Sequence, residues 1–280
     1  MNDLTPRQLT LLSHYDDGTD ARHFSLQIHG PTVDDLLAIP GQFFMLTVPG
    51  YGEAPFTFVS LPDKSGVFTA LIHRTGSLTQ ALFKQKDGAT LGYRGPFGMG
   101  WPLFFSTYRV LAIAGGCGLA PLAGVIEEAT DANLNVRLSV IYAARNSAAQ
   151  VLRRERERWK RAIRFIETFD KAEVGQRQGS AISHFDEVFA CDPPEAVLCC
   201  GPQGFIQSTV NECLHRGIPV SKIWISVERR MHCGVGLCGH CYIGSSYACV
   251  DGPTYRYDRY RDVHVVAAEQ PASDMHAPRG

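Results

Sequence analysis

Four cysteines crowded into one short segment constrain this chain more than any other feature of its sequence. Cys233, Cys238, Cys241 and Cys249 follow the pattern C-x4-C-x2-C-x7-C. The first three have the spacing of plant-type [2Fe–2S] sites, in which a fourth cysteine lies further along the chain. Glycines stand between them at Gly234, Gly236 and Gly239, and glycine permits the positive φ angles that a tight ligand loop requires. The spacing therefore predicts a [2Fe–2S] cluster held by these four thiolates.

Two other interpretations of the cysteine segment stay open. Structural zinc sites commonly use two separated C-x2-C pairs, whereas this segment contains one such pair, Cys238 and Cys241. An unmetallated cysteine-rich loop is the other interpretation. His232 and His240 flank the ligands. Because four cysteines already suffice for a cluster, we expect both histidines to be solvated or hydrogen-bonded.

Composition and charge narrow the class of protein. Nine cysteines, an odd number, indicate metal ligands in a reducing compartment rather than a disulfide framework. With 280 residues, of which 45% are hydrophobic and 20% charged, the chain suits a soluble protein of two domains. A net charge of −1 argues against recognition of nucleic acid or an anionic membrane. The polar amino terminus, and the lack of an apolar run near roughly 20 residues, predict a cytoplasmic protein without a membrane span.

Two kinds of secondary structure follow each other along the chain. Residues 1–103 contain short β-branched or aromatic runs separated by turn residues, which predicts a small antiparallel β-barrel. In residues 104–227 strands alternate with helices, which predicts an α/β domain with a parallel sheet. Residues 228–262 show neither period and are expected to form a small lobe ordered by a cofactor. Residues 263–280 are expected to be a loose tail.

The individual elements follow from the same periods. In the barrel region the predicted strands are Ala21–Gly30, Gln42–Val48, Phe56–Ser60 and Val67–Arg74, with a helix over Ser77–Lys84 and a turn-rich stretch over Gly95–Gly100. In the α/β region the predicted strands are Arg109–Ala114, Val136–Ala143, Arg164–Thr168, Ala196–Cys200 and Lys222–Ser226. The predicted helices are Ala120–Thr130, Ala148–Arg161, one that opens at Ser180, and Phe205–His215.

A glycine-rich turn follows the first strand of the predicted parallel sheet. It contains Gly115, Gly116 and Gly118 and leads into the predicted helix. A helix N-terminus presents unpaired N–H groups and the positive end of the helix dipole to an anion, so the turn predicts a pyrophosphate site. An ordinary tight turn is the alternative, because the G-x-G-x-x-G fingerprint is absent. Cys117, within the turn, is interpreted as a packing residue rather than a nucleophile.

The ends of two further strands contribute to the same predicted site. Arg145 follows the second strand of the sheet, where the adenosine end of a dinucleotide lies in such folds, and would contact ribose or a 2′-phosphate. Arg153 and Arg154 would join it, or would belong to an ordinary solvated helix face. Cys200-Gly201-Pro202 leads from a strand into a helix, which makes Cys200 a candidate neighbour of a nicotinamide. NADH and NADPH both stay open.

Taken in order along nearly the whole chain, these motifs resemble the iron–sulfur branch of the ferredoxin-NADP reductase superfamily. Within that branch the chain is similar to the γ (diaphorase) subunits of NAD(P)-linked [NiFe] hydrogenases, also called sulfhydrogenases, and to the B subunits of anaerobic sulfite reductase. The electron-transfer subunits of dihydroorotate dehydrogenase are more distant. Glu228–Cys233 and Ala248–Pro253 resemble the flanks of the family's cluster lobe. The resemblance implies a barrel that holds FAD, a sheet that holds NAD(P)H and a lobe that holds the [2Fe–2S] cluster.

The resemblance also implies site residues. The flavin motif would be Ala54-Pro55-Phe56-Thr57, with Phe56 against the isoalloxazine and Thr57 hydrogen-bonding near its reactive nitrogen. The family usually has arginine at the position of Ala54, and Arg74 is expected to replace that charge. The second flavin stretch would be His73-Arg74 and Gly76-Ser77-Leu78-Thr79, where backbone N–H groups take the pyrophosphate. The nicotinamide dinucleotide would contact Gly115, Gly116, Gly118, Cys200, Gly201 and Pro202, and the cluster would be ligated by Cys233, Cys238, Cys241 and Cys249.

The implied function is electron transfer. A nicotinamide exchanges two electrons as hydride and a cluster exchanges one at a time, so a flavin must stand between them. This implies a diaphorase-type NAD(P)H-dependent oxidoreductase subunit without an acid–base residue, working with catalytic and iron–sulfur subunits, chiefly those of an [NiFe] hydrogenase. Anaerobic sulfite reductase and dihydroorotate dehydrogenase are alternative partners. From a different class, the missing arginine at Ala54 leaves open a zinc-stabilised interaction module on a reductase fold.

Overall fold

Antiparallel strands build the amino-terminal part of the molecule. The structure, a computed structural model, describes residues 4–102, 109–130 and 137–269. The strands of the first sheet are β1 (Arg7–Asp16), β2 (Ala21–Ile28), β3 (Phe43–Val48), β4 (Gly52–Thr57), β5 (Val67–His73) and β6 (Thr90–Phe97). They pair in the order β4-β3-β6-β1-β2-β5, and a bridge from Ser60 to Thr69 brings the two outer strands together. The sheet thus closes into the antiparallel barrel that the sequence predicts.

Aromatic side chains fill the barrel and fix its short helices. The ring of Phe44 lies 4.9 Å from those of Phe58 and Phe68 and 5.8 Å from that of Tyr93, measured between centroids. The barrel also carries α1 (Val33–Leu36) and α2 (Ser77–Leu82). Helix α2 packs against β3 and β4. This packing brings the start of α2 beside the strand that holds the predicted flavin motif.

The sequence does not predict β1 or β6. Interpreting Gly95–Gly100 as a turn is wrong for its first three residues, which continue β6 through Phe97. Glycine serves a different purpose in this strand, because a Cβ on Gly92 would lie 2.8 Å from the Cβ of Thr47 on β3. A glycine inside a strand permits this close approach of backbones. The sequence shows only that glycine has a weak strand propensity. It does not show that a residue on the neighbouring strand requires glycine at this position.

Parallel strands build the second sheet. They are β7 (Arg109–Gly115), β8 (Arg137–Ala144), β9 (Arg164–Phe169), β10 (Ala196–Cys200) and β11 (Ile223–Ser226), and they alternate with α3 (Ala123–Thr130), α4 (Arg153–Ala162), α5 (Phe185–Cys191) and α6 (Gln203–His215). All neighbouring pairs among these five strands are parallel. The predicted α/β domain is therefore confirmed. The domain boundary expected at residues 103 and 104 lies outside the described residues.

The cysteine segment follows β11 and returns to the edge of the same sheet. It contains the hairpin β12 (Tyr242–Ile243) and β13 (Ser246–Tyr247), and then β14 (Thr254–Arg256), which pairs antiparallel with β11. The order of the second sheet is β14-β11-β10-β7-β8-β9. The small carboxyl-terminal lobe predicted from the cysteines is thus attached to the second sheet by strand β14.

A final helix, α7 (Tyr257–Glu269), continues across the boundary expected between lobe and tail. Residues 263–269 are helical rather than loose, and residues 270–280 lie outside the described residues. Tyr257, Tyr260 and Val263 recur every third residue and pack on the sheet core, but the charged residues between them hide this period in the sequence. Within residues 4–102, 109–130 and 137–269, no helix is long and apolar enough to cross a membrane.

Two buried contacts tie the barrel to the second sheet. The carboxylate of Asp17 accepts hydrogen bonds from the backbone N–H groups of Leu152 (2.9 Å) and Arg153 (3.1 Å). This cap, supplied by the barrel, explains why α4 begins at Arg153 and not at Ala148, where the sequence predicts it. The indole N–H of Trp101 donates to the carbonyl oxygen of Pro121 at 2.7 Å.

The glycine turn after β7 also differs from the prediction. Residues Gly116–Leu122 form a 3-10 segment, and α3 begins only at Ala123 instead of Ala120. Pro121, inside this segment, has no N–H group for an α-helical hydrogen bond. The predicted anion site is therefore a 3-10 turn and not the first turn of an α-helix.

Candidate functional site

Three glycines pack against one another at the carboxyl edge of the parallel sheet. A Cβ atom on Gly118 would lie 2.6 Å from the carbonyl carbon of Cys200 and 2.8 Å from the backbone nitrogen of Gly201. A Cβ on Gly201 would lie 3.2 Å from the Cα of Gly115. Gly116, beside them, adopts a φ of 55°. The structure therefore brings the predicted dinucleotide glycines together into one close-packed cluster against the ring of Phe205, termed here the glycine floor.

Cys200 ends β10 beside the glycine floor. Its side chain is buried, and burial raises the pKa of its thiol to about 12. The thiol therefore stays protonated at neutral pH and is not an activated nucleophile. Burial also raises the pKa of the Cys117 thiol on the neighbouring turn. Neither shift favours an activated nucleophile, but Cys117 is exposed on its turn and is not the packing residue that the sequence predicts.

Glu228 is a site residue that the sequence assigns only to the flank of the cluster lobe. Its carboxylate helps to raise the pKa of the Cys117 and Cys200 thiols, so its charge lies near both. It also lines, with Gly201, a cleft of about 450 Å³. The other residues around this cleft are Gln203, Ile206, Gln207, Ile225, Val227, Arg229, Tyr257, Tyr260 and Arg261. Its position in the sequence could have identified it. Glu228 follows β11, the strand beside the one that ends at Cys200, at the edge where parallel sheets bind ligands.

Arg145 and Arg154, both predicted to contact the nucleotide, have different surroundings. Arg145 follows β8 directly and is exposed. Ser147 hydrogen-bonds the carboxylate of Glu173 nearby. The guanidinium of Arg154, in contrast, lies 3.8 Å from the centroid of the Tyr15 ring of the barrel. Arg154 therefore belongs to the joint between the domains, and Arg145 is the arginine at the strand end.

The predicted flavin segments converge at one end of the barrel. They are Ala54–Thr57 on β4, His73 and Arg74 after β5, and Gly76–Thr79 at the start of α2. The hydroxyl of Thr57 donates to the carbonyl oxygen of Gln42 at 3.2 Å, and the ring of Phe56 lies 6.3 Å from that of Phe44. Both side chains are half-buried. Each is thus held by the barrel on one side and accessible on the other.

The turn before α2 is organised by one hydroxyl group. The Oγ1 atom of Thr79 accepts hydrogen bonds from the backbone N–H groups of Thr75 (2.9 Å) and Gly76 (3.0 Å) and donates to the carbonyl of Gly76 (3.1 Å). The Thr79 side chain is buried, whereas Ser77 is exposed. Thr79 therefore shapes the turn, and the N–H groups that follow it are left for a ligand.

Replacement of Thr79 by valine is expected to weaken FAD binding about tenfold, because the backbone N–H groups of Thr75 and Gly76 lose the acceptor that orders the turn, at a cost of about 0.5–1.5 kcal/mol each. The measurement is the FAD dissociation constant from quenching of flavin fluorescence. Thr10→Val is the control, since the Thr10 hydroxyl bonds only the exposed ring of His29, at 2.7 Å. Equal FAD affinity in the two variants would contradict the role given to Thr79.

A cleft of about 450 Å³ beside α2 collects positive charge. Its lining consists of Asp20, Arg22, Arg74, Gln80, Phe83 and Lys84. The guanidinium groups of Arg22 and Arg74 lie 4.7 and 5.7 Å from the centroid of the Phe83 ring, and Arg74 also pairs with Asp20. Arg22 pairs with Asp16 at 2.6 Å, so three cations stand against two carboxylates and leave an excess positive charge that suits a phosphate group. Arg22 and Lys84 are additions that the sequence did not single out.

Backbone N–H groups of the cysteine segment point at the ligand sulfurs. The Sγ atom of Cys233 accepts hydrogen bonds from Val235 (3.5 Å) and Leu237 (3.3 Å), and that of Cys249 accepts one from Gly236 (3.2 Å). The three glycines have φ angles of 79°, 75° and 77°, in the order Gly234, Gly236 and Gly239. The predicted positive angles are confirmed. Such N–H donors are one of the means by which proteins tune iron–sulfur clusters.

The four cysteines are arranged as two pairs. The thiol of Cys238 lies near that of Cys233, which helps to lower its pKa, and the thiol of Cys249 lies near that of Cys241, which helps to raise its pKa. In the part of the chain that the structure describes, no three His, Cys, Asp or Glu side chains gather to hold a metal ion. A [2Fe–2S] cluster takes two protein ligands at each of its two irons, whereas structural zinc needs four donors around one point. Two pairs of thiols match the two irons of such a cluster.

Two family models match the chain. The iron–sulfur cluster binding domain of dihydroorotate dehydrogenase B matches residues 228–260, which include all four cysteines of the segment. An oxidoreductase NAD-binding domain matches residues 112–211, which include the glycine floor. Each match coincides with one of the two regions in which geometry brings the predicted ligands together.

Curated relatives extend the match to most of the chain. Sulfhydrogenase 1 subunit gamma of Pyrococcus furiosus is 33% identical over 231 residues, which are 78% of this chain and 79% of that protein. This chain belongs to the iron–sulfur branch of the ferredoxin-NADP reductase superfamily. A probable dihydroorotate dehydrogenase B electron transfer subunit of Methanocaldococcus jannaschii is 30% identical over 226 residues, which are 79% of this chain and 80% of that protein.

The superfamily fold extends over nearly the whole chain. A solved structure of an NADH-dependent reduced ferredoxin-NADP oxidoreductase superposes with a TM-score of 0.75 at 21% identity, covering 96% of this chain and 95% of that one. As a member of the iron–sulfur branch, the chain is an electron-transferring NAD(P)H oxidoreductase subunit that uses FAD and an iron–sulfur cluster.

Proposed function

We propose that this subunit carries electrons between NAD(P)H, FAD and one [2Fe–2S] cluster, to or from the catalytic subunit of an [NiFe] hydrogenase. The observation that supports the route most directly is a contact between the barrel and the cysteine segment. Phe97, at the end of β6, lies against Gly234: a Cβ atom on Gly234 would be 2.9 Å from the Phe97 ring. In the sheet, strand β3 lies between β6 and β4. The flavin motif on β4 and the cysteine segment beside β6 are therefore close in the fold.

Each group of residues has a separate part in this proposal. Ala54–Thr57, His73, Arg74 and Gly76–Thr79 would hold FAD, and the glycine floor with Gly116, Arg145, Cys200 and Pro202 would hold the nucleotide. The four cysteines would hold the cluster. When bound, the nicotinamide supplies two electrons as hydride and the flavin divides them into single electrons for the cluster. The chain itself binds, orients and shields these groups, and it needs no general acid or base.

Exposed apolar side chains lie near Cys238 on the cysteine segment. Cys238 is exposed, and the side chains of Leu237, Tyr242 and Val250 are 71%, 62% and 46% exposed. They are neighbours, since Tyr242 pairs with Tyr247 in the hairpin and a Cβ on Gly236, next to Leu237, would lie 3.1 Å from Val250 and 3.7 Å from the Tyr247 ring. Exposed apolar clusters mark interaction sites. We infer that the catalytic partner docks on this patch, where single electrons have the shortest path to the cluster.

Leu237→Asp is expected to reduce electron transfer to the partner at least about tenfold, because a charge in the centre of an apolar interface costs upward of about 1.4 kcal/mol. Reduction of the flavin by NAD(P)H should stay unchanged. Stopped-flow kinetics with and without the partner separate the two steps. Val33→Asp is the matched control, since Val33 is also 71% exposed but lies on α1 of the barrel. If the two variants behave alike, the docking site is elsewhere.

The identity of the partner is tested by isolating the native complex. The chain would be tagged in its own organism and purified without oxygen, and the complex assayed for NAD(P)+ reduction by H₂, NAD+ reduction by dihydroorotate and sulfite reduction by NAD(P)H. Hydrogen-dependent reduction of NAD(P)+, lost when the tagged chain is deleted, supports the hydrogenase. Activity with sulfite or dihydroorotate alone contradicts it.

A dihydroorotate dehydrogenase B is the second candidate partner. The match of residues 228–260 to the cluster domain of that enzyme and the relative from Methanocaldococcus jannaschii favour it. Dihydroorotate-dependent NAD+ reduction by the isolated complex would decide for this candidate. We also propose a cytoplasmic location, because none of the nine cysteines forms a disulfide and cysteines stay reduced in that compartment.

A further inference from the structure

A buried ion pair lies between the flavin strand and the cysteine segment. The side chains of Arg94 on β6 and Glu53 on β4 are 6% and 20% exposed. The Nε atom of Arg94 donates to the Glu53 carboxylate at 3.0 Å, and a second guanidinium nitrogen donates to the other carboxylate oxygen. Thr47 donates a further hydrogen bond to Glu53 at 3.0 Å. Glu53 directly precedes Ala54, the first residue of the predicted flavin motif.

The remaining donors of Arg94 face the cysteine segment. One terminal nitrogen donates to the carbonyl oxygen of Cys233 at 2.8 Å, and the other donates to that of His232 at 3.4 Å. The guanidinium also lies 5.5 Å from the centroid of the Phe97 ring. The Arg94 side chain therefore hydrogen-bonds the backbone of Cys233, a predicted cluster ligand, and is ion-paired to Glu53, the residue before the flavin motif.

Burial makes this arrangement costly unless every polar group is satisfied. A buried ion pair gains little over apolar packing, yet loss of one partner leaves an uncompensated charge. Arg94 is satisfied on both sides, by the carboxylate and by the two carbonyl groups. Arginine alone presents enough donors in a rigid fork to do this, whereas lysine presents a point charge.

We propose that Arg94 and Glu53 are a positioning pair, which fixes the Cys233 backbone to the flavin strand and sets the midpoint potential of the cluster through its balance of charge. The proposal rests on the proposed function, because it requires that the four cysteines bind a [2Fe–2S] cluster. Neither residue belongs to the glycine floor, and neither reacts chemically during electron transfer.

The balance of charge determines the sign of the effect. A cluster gains negative charge when it is reduced by one electron, so a nearby positive charge favours the reduced form and a negative charge opposes it. In the intact pair the two charges largely cancel. Removal of the arginine leaves a carboxylate near Cys233 and should lower the cluster potential. Removal of the carboxylate leaves the guanidinium and should raise it.

The experiment compares Arg94→Met, Glu53→Gln and Arg94→Lys in the holoprotein. Iron and flavin contents are measured first, and then the cluster is titrated with redox mediators while its reduced form is followed by EPR. We expect Arg94→Met to shift the equilibrium of cluster reduction about tenfold towards the oxidised form, which is about 59 mV for one electron, and Glu53→Gln to shift it the opposite way. Arg94→Lys keeps the charge and should stay between the wild type and Arg94→Met.

Arg7→Met is the matched control. Arg7 makes a comparable ion pair in the same barrel, with two bonds of 2.7 Å to Asp35, but its hydrogen bonds do not reach the cysteine segment. Its loss should leave the cluster potential unchanged. If Arg94→Met does not retain iron, Glu53→Gln still tests the predicted direction of the shift in cluster potential.

Two outcomes overturn the inference or its basis, and they are distinguishable. If the wild type contains flavin and two irons but Arg94→Met and Glu53→Gln leave the potential unchanged or shift it in the same direction, the positioning pair is wrong and the proposed function stands. If the wild type itself binds no iron–sulfur cluster, the proposed function fails and the inference fails with it.

Discussion

Replacement of Cys249 by serine is expected to remove the iron–sulfur cluster and leave the flavin in place. Cys249 is 1% exposed, its sulfur accepts the N–H group of Gly236, and it pairs with Cys241. A [2Fe–2S] cluster needs all four of its protein ligands, and serine offers no thiolate. Iron should therefore fall from about two atoms per chain to nearly none. Electron transfer to one-electron acceptors through the cluster should be lost, whereas FAD should stay reducible by NAD(P)H.

Cys213→Ser is the control for the loss of a buried thiol. Cys213 lies on α6, is fully buried and is distant in sequence from the cysteine segment. Its replacement should lower the free energy of unfolding, because a hydroxyl group without a hydrogen-bond partner enters an apolar core, but the iron content should stay. Iron and flavin analysis of both variants is the measurement. Full iron occupancy in Cys249→Ser, with the spectrum of the wild type, would disprove the assignment of the ligands.

Replacement of Gly118 by alanine is the second change with a large expected effect. The added Cβ would lie 2.6 Å from the carbonyl carbon of Cys200 and 2.8 Å from the nitrogen of Gly201, and both are backbone atoms that cannot rotate away. The turn must then separate from the end of β10, at a cost of about 1–3 kcal/mol. Since this contact forms the glycine floor, we expect kcat/KM for flavin reduction by NAD(P)H to fall about tenfold to a hundredfold.

Gly204→Ala separates this effect from the general consequences of replacing a glycine. Gly204 lies in the first turn of α6, and a Cβ there would have no neighbour within 4 Å. Alanine should stabilise the helix there by about 0.5–1 kcal/mol and leave the kinetics unchanged. Stopped-flow flavin reduction and thermal denaturation of both variants are the measurements. Wild-type kinetics in Gly118→Ala would refute a nucleotide site on the glycine floor.

The sequence predicted the features that depend on local spacing. The C-x4-C-x2-C pattern and the three glycines between the ligands specify a loop with positive φ angles, and the structure has this loop. Alternation of strands and helices specified the parallel sheet for a similar reason, because each element carries its own period. The site residues at the ends of β7 and β10 followed from the rule that parallel sheets bind ligands at their carboxyl edge.

Contacts between distant segments could not be predicted in this way. Arg94 and Glu53 are 41 positions apart, and Arg94 and Cys233 are 139 apart, so no local pattern relates them. Strand β6 was missed because its glycines reflect the close approach of β3 rather than a turn. Helix α7 was missed because charged residues separate the apolar residues of its first two turns. In each case the deciding partner lies on another element.

The missing arginine at Ala54 illustrates the same limit. The sequence offered Arg74 as its replacement, and the structure adds Arg22 and Lys84 to the same cleft. These residues lie on β2 and after α2, and only the fold brings them together. We therefore expect these charges to take the place of the arginine that the motif lacks.

Anaerobic titration of the purified wild-type chain with NADH and with NADPH tests the central claim most directly. Visible spectra would follow the flavin, EPR would follow the cluster, and metal analysis would count iron and zinc. We expect flavin bands that bleach with at least one nucleotide, an EPR signal of a reduced [2Fe–2S] cluster that appears with them, and about two irons per chain. A colourless protein with one zinc per chain, or a flavin that bleaches without any reduction of the cluster, would contradict the electron-transfer route.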